Sequence, residues 1–505
     1  MVRRRALIAS SLVSCAVSAW VLFACVGDTP SSGVLVVGAD ATPADAGSSS
    51  VDGSVTDSGA TPRDGGADDG DVGLPPDGGC AAPKEQCAEG CINTRISETN
   101  CGRCGNACGA GVNCLDGRCE NEIVDVALGD GHSCAALGNG DVWCWGSNVR
   151  GQAGVPIAAP AIPPTKVAIT DVLRLGAAYD SMCAVKKDNT VWCWGFNNGG
   201  ALGHPVGGGS PVDIDCPDAG TGKCNSTPQK VPELIGAAEV MTGSATSCAR
   251  TLTATVSCWG TASCGSLGTP DAGSSLVPVP REVTGVANVK RLPSSNGQAK
   301  HYCVILNDDS LVCWGNNGSG QCGHAPEPEP PSCNGATGSV APPSAVPGLG
   351  KVTSVAVNAD GVTCATANQG KVYCWGNNSG ALITPPSSTP PTFSTPTEVA
   401  LGTAVKATKV VLGDAHACAL LEDQTVRCWG SNNRGRLGIG NTTNALFPPS
   451  LALVKATNLW SGRGYSGALL PGGSLAMWGG NGAGQLAQAQ DIGSNGTPTV
   501  VSGLP

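Results

Sequence analysis

One pattern governs what this chain can fold into: two cysteines ten positions apart, the second followed by Trp-Gly, recurring from residue 124 to the last residues. Six copies carry the pairs Cys134/Cys144, Cys183/Cys193, Cys248/Cys258, Cys303/Cys313, Cys364/Cys374 and Cys418/Cys428. A seventh puts Gly467 and Met477 in those places. The tryptophan persists in all seven, as Trp145, Trp194, Trp259, Trp314, Trp375, Trp429 and Trp478. Successive tryptophans stand 49 to 65 residues apart, so loops of variable length separate a fixed unit.

Each unit reads as an antiparallel hairpin. In the sixth, an apolar strand Cys418-Ala-Leu-Leu421 meets a turn, Glu422-Asp-Gln-Thr425, and a second strand, Val426-Arg-Cys-Trp429. Alternation sets Val426 and Cys428 on one face and Arg427 with Trp429 on the other. Cysteines equidistant from the turn then face each other across the strands, which predicts a cross-strand disulfide in six units. Closing a loop of about eleven residues stabilises each unit by roughly 2.5–3 kcal/mol in the chain-entropy model. With aromatic residues at 4%, such bridges compensate for a shortage of large core side chains.

The turn after Trp-Gly is rich in Asn and Gly, as in Asn197-Asn-Gly-Gly-Ala-Leu-Gly203, Asn316-Asn-Gly-Ser-Gly-Gln-Cys-Gly323 and Asn432-Asn-Arg-Gly-Arg-Leu-Gly438. These residues supply the positive φ such turns demand. GxxHxCAL followed by VxCWGxNxxGQLG resembles the regulator-of-chromosome-condensation repeat, and the resemblance covers about residues 123–505. It implies an all-β fold, a seven-bladed propeller with four-stranded blades. A Pro-x-x-Val strand precedes copies two to seven, for example Pro228-Gln-Lys-Val231 and Pro396-Thr-Glu-Val399. The first copy lacks one, and Pro498-Thr-Val-Val501 near the C-terminus has the pattern, so the last strand is expected to complete the first blade.

Twenty-seven cysteines point to an oxidising compartment. Arg3 to Arg5 followed by the apolar run Ala6 to Ala24 reads as an export signal over 1–24. Leu22-Phe23-Ala24-Cys25 resembles a bacterial lipobox, which implies a lipid on Cys25, and Val26 after it points to the outer membrane or cell surface rather than the inner membrane. Residues 25–79, made of Ser, Gly, Ala, Thr, Pro and Asp, are expected to be a disordered tether. Residues 80–119 hold Cys80, Cys87, Cys91, Cys101, Cys104, Cys108, Cys114 and Cys119 with few other core-formers. A unit so small needs covalent staples, and four disulfides are expected over zinc because it has one CxxC and no His. The propeller then occupies 120–505. Further pairs are expected within two insertions, Cys216 with Cys224 and Cys322 with Cys333, which leaves Cys264 over.

His132, His301 and His416 stand two positions before a unit cysteine, a placement set by the repeat and so structural. His204 and His324 open the two longest insertions, where a solvated loop histidine or a binding face are the alternatives. Asp188, Asp308, Asp309, Glu422 and Asp423 sit where turns favour acids. No catalytic, cofactor or metal motif stands out, so a non-enzyme is expected. A net charge of −10 argues against a nucleic-acid partner. The leading expectation is a monomeric, surface-anchored scaffold that binds a protein or a cell-surface glycan through inter-blade loops. Guanine-nucleotide exchange, which the family resemblance implies, and a loop-built hydrolase or lyase are the alternatives. A cluster of carboxylates or histidines from different blades at the ring centre would favour the enzyme.

Overall fold

The computed structural model describes residues 80–505 except 210–211, 218–221, 244, 269–275, 296–299, 327–338, 386–390 and 489–492. The export signal, Cys25, the tether and Cys333 therefore lie outside the described residues.

The chain from Ile123 onward folds into seven sheets, each of four or five strands. In blade 1 the strands run Ile123–Leu128, His132–Leu137, Val142–Ser147 and Ala161–Lys166, innermost to outermost, each antiparallel to the last. The cysteine hairpin is the middle pair of each blade. Its register sets Cys134 opposite Cys144, and the same direct opposition recurs in the next five blades. The expected staples are all present. Cys134–Cys144, Cys183–Cys193 and Cys248–Cys258 are disulfide-bonded in blades 1 to 3, with Cα atoms 4.1 Å apart. Cys303–Cys313, Cys364–Cys374 and Cys418–Cys428 follow in blades 4 to 6, at 4.0–4.1 Å. In blade 7 the same register sets Gly467 opposite Met477.

The glycine after each tryptophan explains the invariant Trp-Gly. Pairing with the outer strand slips between the cysteine, or Met477 in blade 7, and this glycine in every blade. At Gly195 φ is +99°, and a Cβ there would lie 2.4 Å from the Asp180 carbonyl oxygen. Only glycine fits that backbone and that space.

The expected strand exchange at the C-terminus does not occur. Ser494–Val500 pairs with Leu475–Gly480 of blade 7, and blade 1 already holds its own outer strand, Ala161–Lys166. The Pro-x-x-Val segment between two cysteine hairpins belongs to the blade before it. An outer strand following its hairpin needs only a local antiparallel return, so the four antiparallel strands of each blade are consecutive in sequence apart from Ser294–Ser295, which leaves blade 4's stretch to pair in parallel with Val352–Val357 of blade 5.

Side chains, rather than a shared strand, close the ring. Each blade turns its disulfide toward the next blade's tryptophan. Cys134 and Cys144 pack with Trp194, Cys183 and Cys193 with Trp259, and Cys248 and Cys258 with Trp314. Cys303 and Cys313 pack with Trp375, Cys364 and Cys374 with Trp429, and Cys418 and Cys428 with Trp478. At the seam between blades 7 and 1, Met477 packs with Trp145 instead. Each of the seven repeat indole N–H groups then donates to a backbone carbonyl in the turn of the preceding blade. Trp194 donates to Gln152 at 3.1 Å, Trp259 to Ala201 at 2.9 Å and Trp314 to Ser266 at 3.1 Å. Trp375 donates to Gln321 at 2.9 Å, Trp429 to Leu382 at 2.9 Å and Trp478 to Arg436 at 3.0 Å. Trp145 closes the circle onto Gln485 at 2.8 Å. Seven buried bonds of roughly 1 kcal/mol each repeat around the ring, added to the burial of seven large side chains.

The cysteine-rich unit pairs Cys80–Cys91, Cys87–Cys104, Cys101–Cys114 and Cys108–Cys119. The close approach of Cys101, Cys108 and Cys119 is that of two neighbouring bridges, whose sulfurs have no thiolate left for a metal. The unit joins blade 1 through backbone bonds from Gly138 N–H to Glu122 and Asn139 N–H to Glu120.

Candidate functional site: the loop-bearing end of the ring

Because all strands alternate, the turns after the innermost strands and the connections after Trp-Gly lie at one end of the ring. The longest described connection there is blade 2's, from His204 to Lys223, bridged by Cys216–Cys224. His204 opens it and is neither solvated nor part of a binding surface. Its Nε2 lies 2.9 Å from Asp213 Oδ1, and both residues are buried. Asp213 also accepts from Asn197 Nδ2 at 2.7 Å, Asn225 Nδ2 at 3.2 Å and Gly207 N–H at 3.1 Å. With its lone pairs committed, this carboxylate is a structural knot that rigidifies the insertion. Nothing in the spacing of His204 and Asp213 marked them as partners.

The knot holds apolar side chains out in water. Val206, Val212 and Ile214 are 44%, 63% and 55% exposed. On the neighbouring blade Leu276, 58% exposed, flanks Gly199 of the blade 2 turn. Beside them Arg150 lies 4.3 Å over the Phe196 ring and pairs with Asp180 at 3.0 Å. Toward the axis at the same end, Arg463 of blade 7 joins Asp130 of blade 1 at 2.8 Å and Asp414 of blade 6 at 2.6 Å. Burial raises the Asp130 carboxyl against the pull of Arg463, and burial followed by the Asp414 charge raises Asp360.

The blade cysteines take no part in this surface. Cys134, Cys144, Cys183, Cys193, Cys248, Cys258, Cys303, Cys313, Cys364, Cys374, Cys418 and Cys428 are all fully buried between sheets, so their bridges are staples and not a redox or recognition site.

The expected bridge between Cys322 and Cys333 is absent. Cys322 is a buried free thiol, and Cys264 is the disulfide-bonded one. The reason lies in the repeat. Cys322 stands eight residues after Trp314, where other blades place Leu202, Leu267, Ile383, Leu437 and Leu486, all buried. It packs with Val346 and Trp375 as a small apolar residue, and burial pushes its thiol far above the ordinary range.

Two of the three repeat histidines are inter-blade latches. His301 Nε2 meets Thr363 Oγ1 of the next blade at 2.8 Å, and His416 Nε2 meets Ser466 Oγ at 2.9 Å. His132 faces a blade with Met182 at the hydroxyl position, and neither of its ring nitrogens has a partner. Burial lowers His132 and His301 to about 3 and His416 well below its usual value, so all three are neutral near neutral pH. His324 Nδ1 lies 3.2 Å from Asn317 Nδ2. The turn acids cap their own turns. Asp308 accepts from Ser310 Oγ at 2.6 Å, Asp423 from Thr425 Oγ1 at 2.6 Å and Asp188 from Thr190 Oγ1 at 2.6 Å, while Asp309 pairs with Lys290. Glu422 N–H bonds to the Lys406 carbonyl in the same kind of turn.

With this geometry in view, the comparisons with known proteins bear on the repeat. The family model described as Regulator of chromosome condensation (RCC1) repeat matches residues 123–152, 299–321 and 407–436. These three segments are similar to RCC1 repeats. This RCC1-like propeller is 27% identical to the Arabidopsis thaliana ultraviolet-B receptor UVR8 over 30% of its own length and 32% of the receptor's. It is 27% identical to the Homo sapiens E3 ubiquitin-protein ligase HERC2 over 46% of its length and 5% of the ligase's. The chain thus spans a third or less of these relatives. Among solved structures, human WBSCR16 superposes with a TM-score of 0.56 at 20% identity, covering 68% of this chain and 85% of that one. Prp20p of Saccharomyces cerevisiae superposes at 0.53 with 20% identity, covering 70% and 81%. These likenesses agree with the propeller fold.

The bridges in the blades and in the cysteine-rich unit need an oxidising environment to form and persist. Among the described residues no helix is long and apolar enough to cross a membrane.

Proposed function

We propose that this RCC1-like propeller is an exported, lipid-anchored binding scaffold, not an enzyme, that recognises a protein through the loop-bearing end of its ring. The observation that carries the reading is the exposure of Val206, Val212 and Ile214 on an insertion held rigid by the Asp213 knot and the Cys216–Cys224 bridge. Apolar side chains grouped on a rigid support are the usual core of a recognition surface. Preorganisation lowers the ordering cost on binding, which a flexible loop would carry. A yeast propeller of this shape, Prp20p, is described as binding Gsp1p and histones, which supports a protein partner. The disulfides support an oxidising compartment, and the Cys25 sequence supports a lipid anchor there.

Two carboxylates do reach the ring axis, Asp125 and Glu239, but they come from blades 1 and 3 with Arg174 of blade 2 between. Each accepts a backbone N–H of the following blade, Leu175 at 3.0 Å and Leu292 at 2.7 Å. Carboxylates that each tie one blade to the next serve the ring's structure, which favours the scaffold over the hydrolase or lyase.

The test is paired affinity capture from cell-surface material with the wild type and Ile214→Asp, whose melting temperature and disulfides should match. A protein retained by the wild type and lost by the variant supports the reading. An identical set of captured proteins from both overturns it.

A further inference from the structure

The innermost strands place one residue per blade at the ring axis: Asp125, Arg174, Glu239, Arg291, Ser354, Lys409 and Asn458 in blades 1 to 7. Six of these, all but Ser354, line an axial cavity of about 390 Å³. The order alternates. Acceptors stand on the odd blades and cations on the even ones.

The acceptors are committed to the ring. Asp125 takes the Leu175 N–H and also the Val126 N–H at 3.0 Å. Glu239 takes the Leu292 N–H and pairs with Arg250 at 3.2 Å. Ser354 Oγ accepts from Val410 N–H at 3.3 Å, and Asn458 Oδ1 from Lys409 Nζ at 3.0 Å. In each of the first three pairs an odd-blade side chain binds the backbone of the next even blade, which fixes the strand that presents a cation.

The cations are left with donors to spare. Arg174 uses one nitrogen on its neighbour's Leu173 carbonyl at 2.8 Å. The Arg291 guanidinium makes no hydrogen bond or ion pair among the described residues. Lys409 keeps two of its three donors beyond Asn458 and lies 5.2 Å over the Trp460 ring. Burial lowers its ammonium to about 8, against the opposing pull of Asp125 and with Arg291 adding to the lowering. Three cations from three blades against two carboxylates leave a net positive charge at the cavity, with Lys409 partly buried and Arg174 and Arg291 open to solvent. Guanidinium forks match the paired oxygens of an oxyanion, and such charge-assisted bonds are stronger than neutral ones.

We propose that the axial cavity is a binding site for a small multivalent oxyanion, a phosphate or a di- or tricarboxylate, held by Arg174, Arg291 and Lys409. The cavity volume lies within the range of small-molecule sites. Arg174 and Arg291 supply planar forks for paired oxygens, and Lys409 supplies a point charge. Asp125 and Glu239 limit the total charge the ligand can bring. This site is independent of the loop-bearing end, and its failure would leave that reading in place.

The test is calorimetric titration of the full chain with inorganic phosphate and, in separate arms, with succinate and citrate, at ionic strength matched with sodium chloride. Saturable binding of at least one anion is expected. Which arm binds most tightly separates phosphate from carboxylate recognition. Arg291→Gln should weaken that anion about ten-fold or more, and Arg174→Gln with Arg291→Gln should abolish it. A folded Lys351→Gln variant, altered away from the axis, should bind as the wild type does. The proposal is overturned if no anion binds above the chloride control or if the double arginine variant binds normally.

Discussion

The seam between blades 7 and 1 lacks the disulfide that its six counterparts have, and the structure shows how to supply one. Gly467 and Met477 are direct cross-strand partners in the register that the six cysteine pairs adopt. A Cβ built on Gly467 would lie 3.4 Å from Leu128 Cδ1 and 3.7 Å from Met477 Cγ, ordinary contacts that Met477→Cys relaxes further. Gly467→Cys with Met477→Cys closes a loop of about eleven residues, a gain of roughly 2.7 kcal/mol in the chain-entropy model. Shortening Met477, fully buried, removes the equivalent of two methylene groups and costs about 1.5 kcal/mol. The net gain over the wild type is about 1 kcal/mol. The cleaner comparison is Gly467→Ala with Met477→Cys, which has nearly the same volume and no bridge. At about 2.1 cal/mol/K per residue over roughly 380 residues, the bridge should raise the melting temperature by about 3 °C above that control. Intact-mass analysis of alkylated, non-reduced protein confirms formation, and calorimetry reads the shift. A bridge that forms without raising the melt would refute the claim that this seam is one cooperative interface with the rest of the ring. A bridge that does not form would refute the register.

Further expectations follow from the same geometry. His301 is neutral when folded, with its value lowered to about 3, against about 6.5 unfolded, so its stabilisation is complete above pH 6.5 and is lost progressively as pH falls toward 3. His301→Gln should therefore flatten the dependence of melting temperature on pH in that window, and an unchanged slope would contradict the assignment. Arg463→Met leaves Asp130 and Asp414 half-buried without their shared cation, and the deficit, about 1 kcal/mol at neutral pH given Arg463's exposure, should shrink below pH 4. Melts at pH 7 and pH 4 check it. Deleting residues 494–505 removes blade 7's own outer strand. Hydrogen exchange should then show lost protection at Ala476 to Gly480 and unchanged protection at Ala161 to Lys166.

The legible part of this fold was whatever recurs at fixed spacing within one hairpin. Ten positions between Cys418 and Cys428 fix a turn, a register and a shared face, so the disulfide could be read from local geometry. The same reading held for Cys248–Cys258, Cys303–Cys313 and Cys364–Cys374, although the histidine that precedes some copies is missing before Cys248 and Cys364. The tryptophans were visible as a repeat, but their indole bonds reach carbonyls 42 to 58 residues back, or across the seam, and no spacing encodes such a partner. The outer strands misled because a Pro-x-x-Val segment lies between two hairpins and its sequence does not say which one it joins. Cys322 was readable but outweighed. Its place eight residues after Trp314 is that of Leu202 and Leu437, whereas the nearby Cys333 suggested a staple. The axial residues escaped because the innermost strand carries little of the repeat motif. Asp125, Arg174 and Glu239 share a position that only the closed ring brings together.

The central claim is an oxidatively built ring of seven blades, each built on its own cysteine-position hairpin, stapled within six of them and joined between them by packing and indole bonds. Peptide mapping of the non-reduced protein by mass spectrometry tests it most directly. The account predicts linked peptides for the six blade pairs, Cys134–Cys144, Cys183–Cys193, Cys248–Cys258, Cys303–Cys313, Cys364–Cys374 and Cys418–Cys428. It also predicts them for Cys216–Cys224 and for the four bridges of residues 80–119, with Cys322 as a free thiol. Linkage between cysteines of different blade hairpins, or Cys322 recovered in a disulfide, would contradict it.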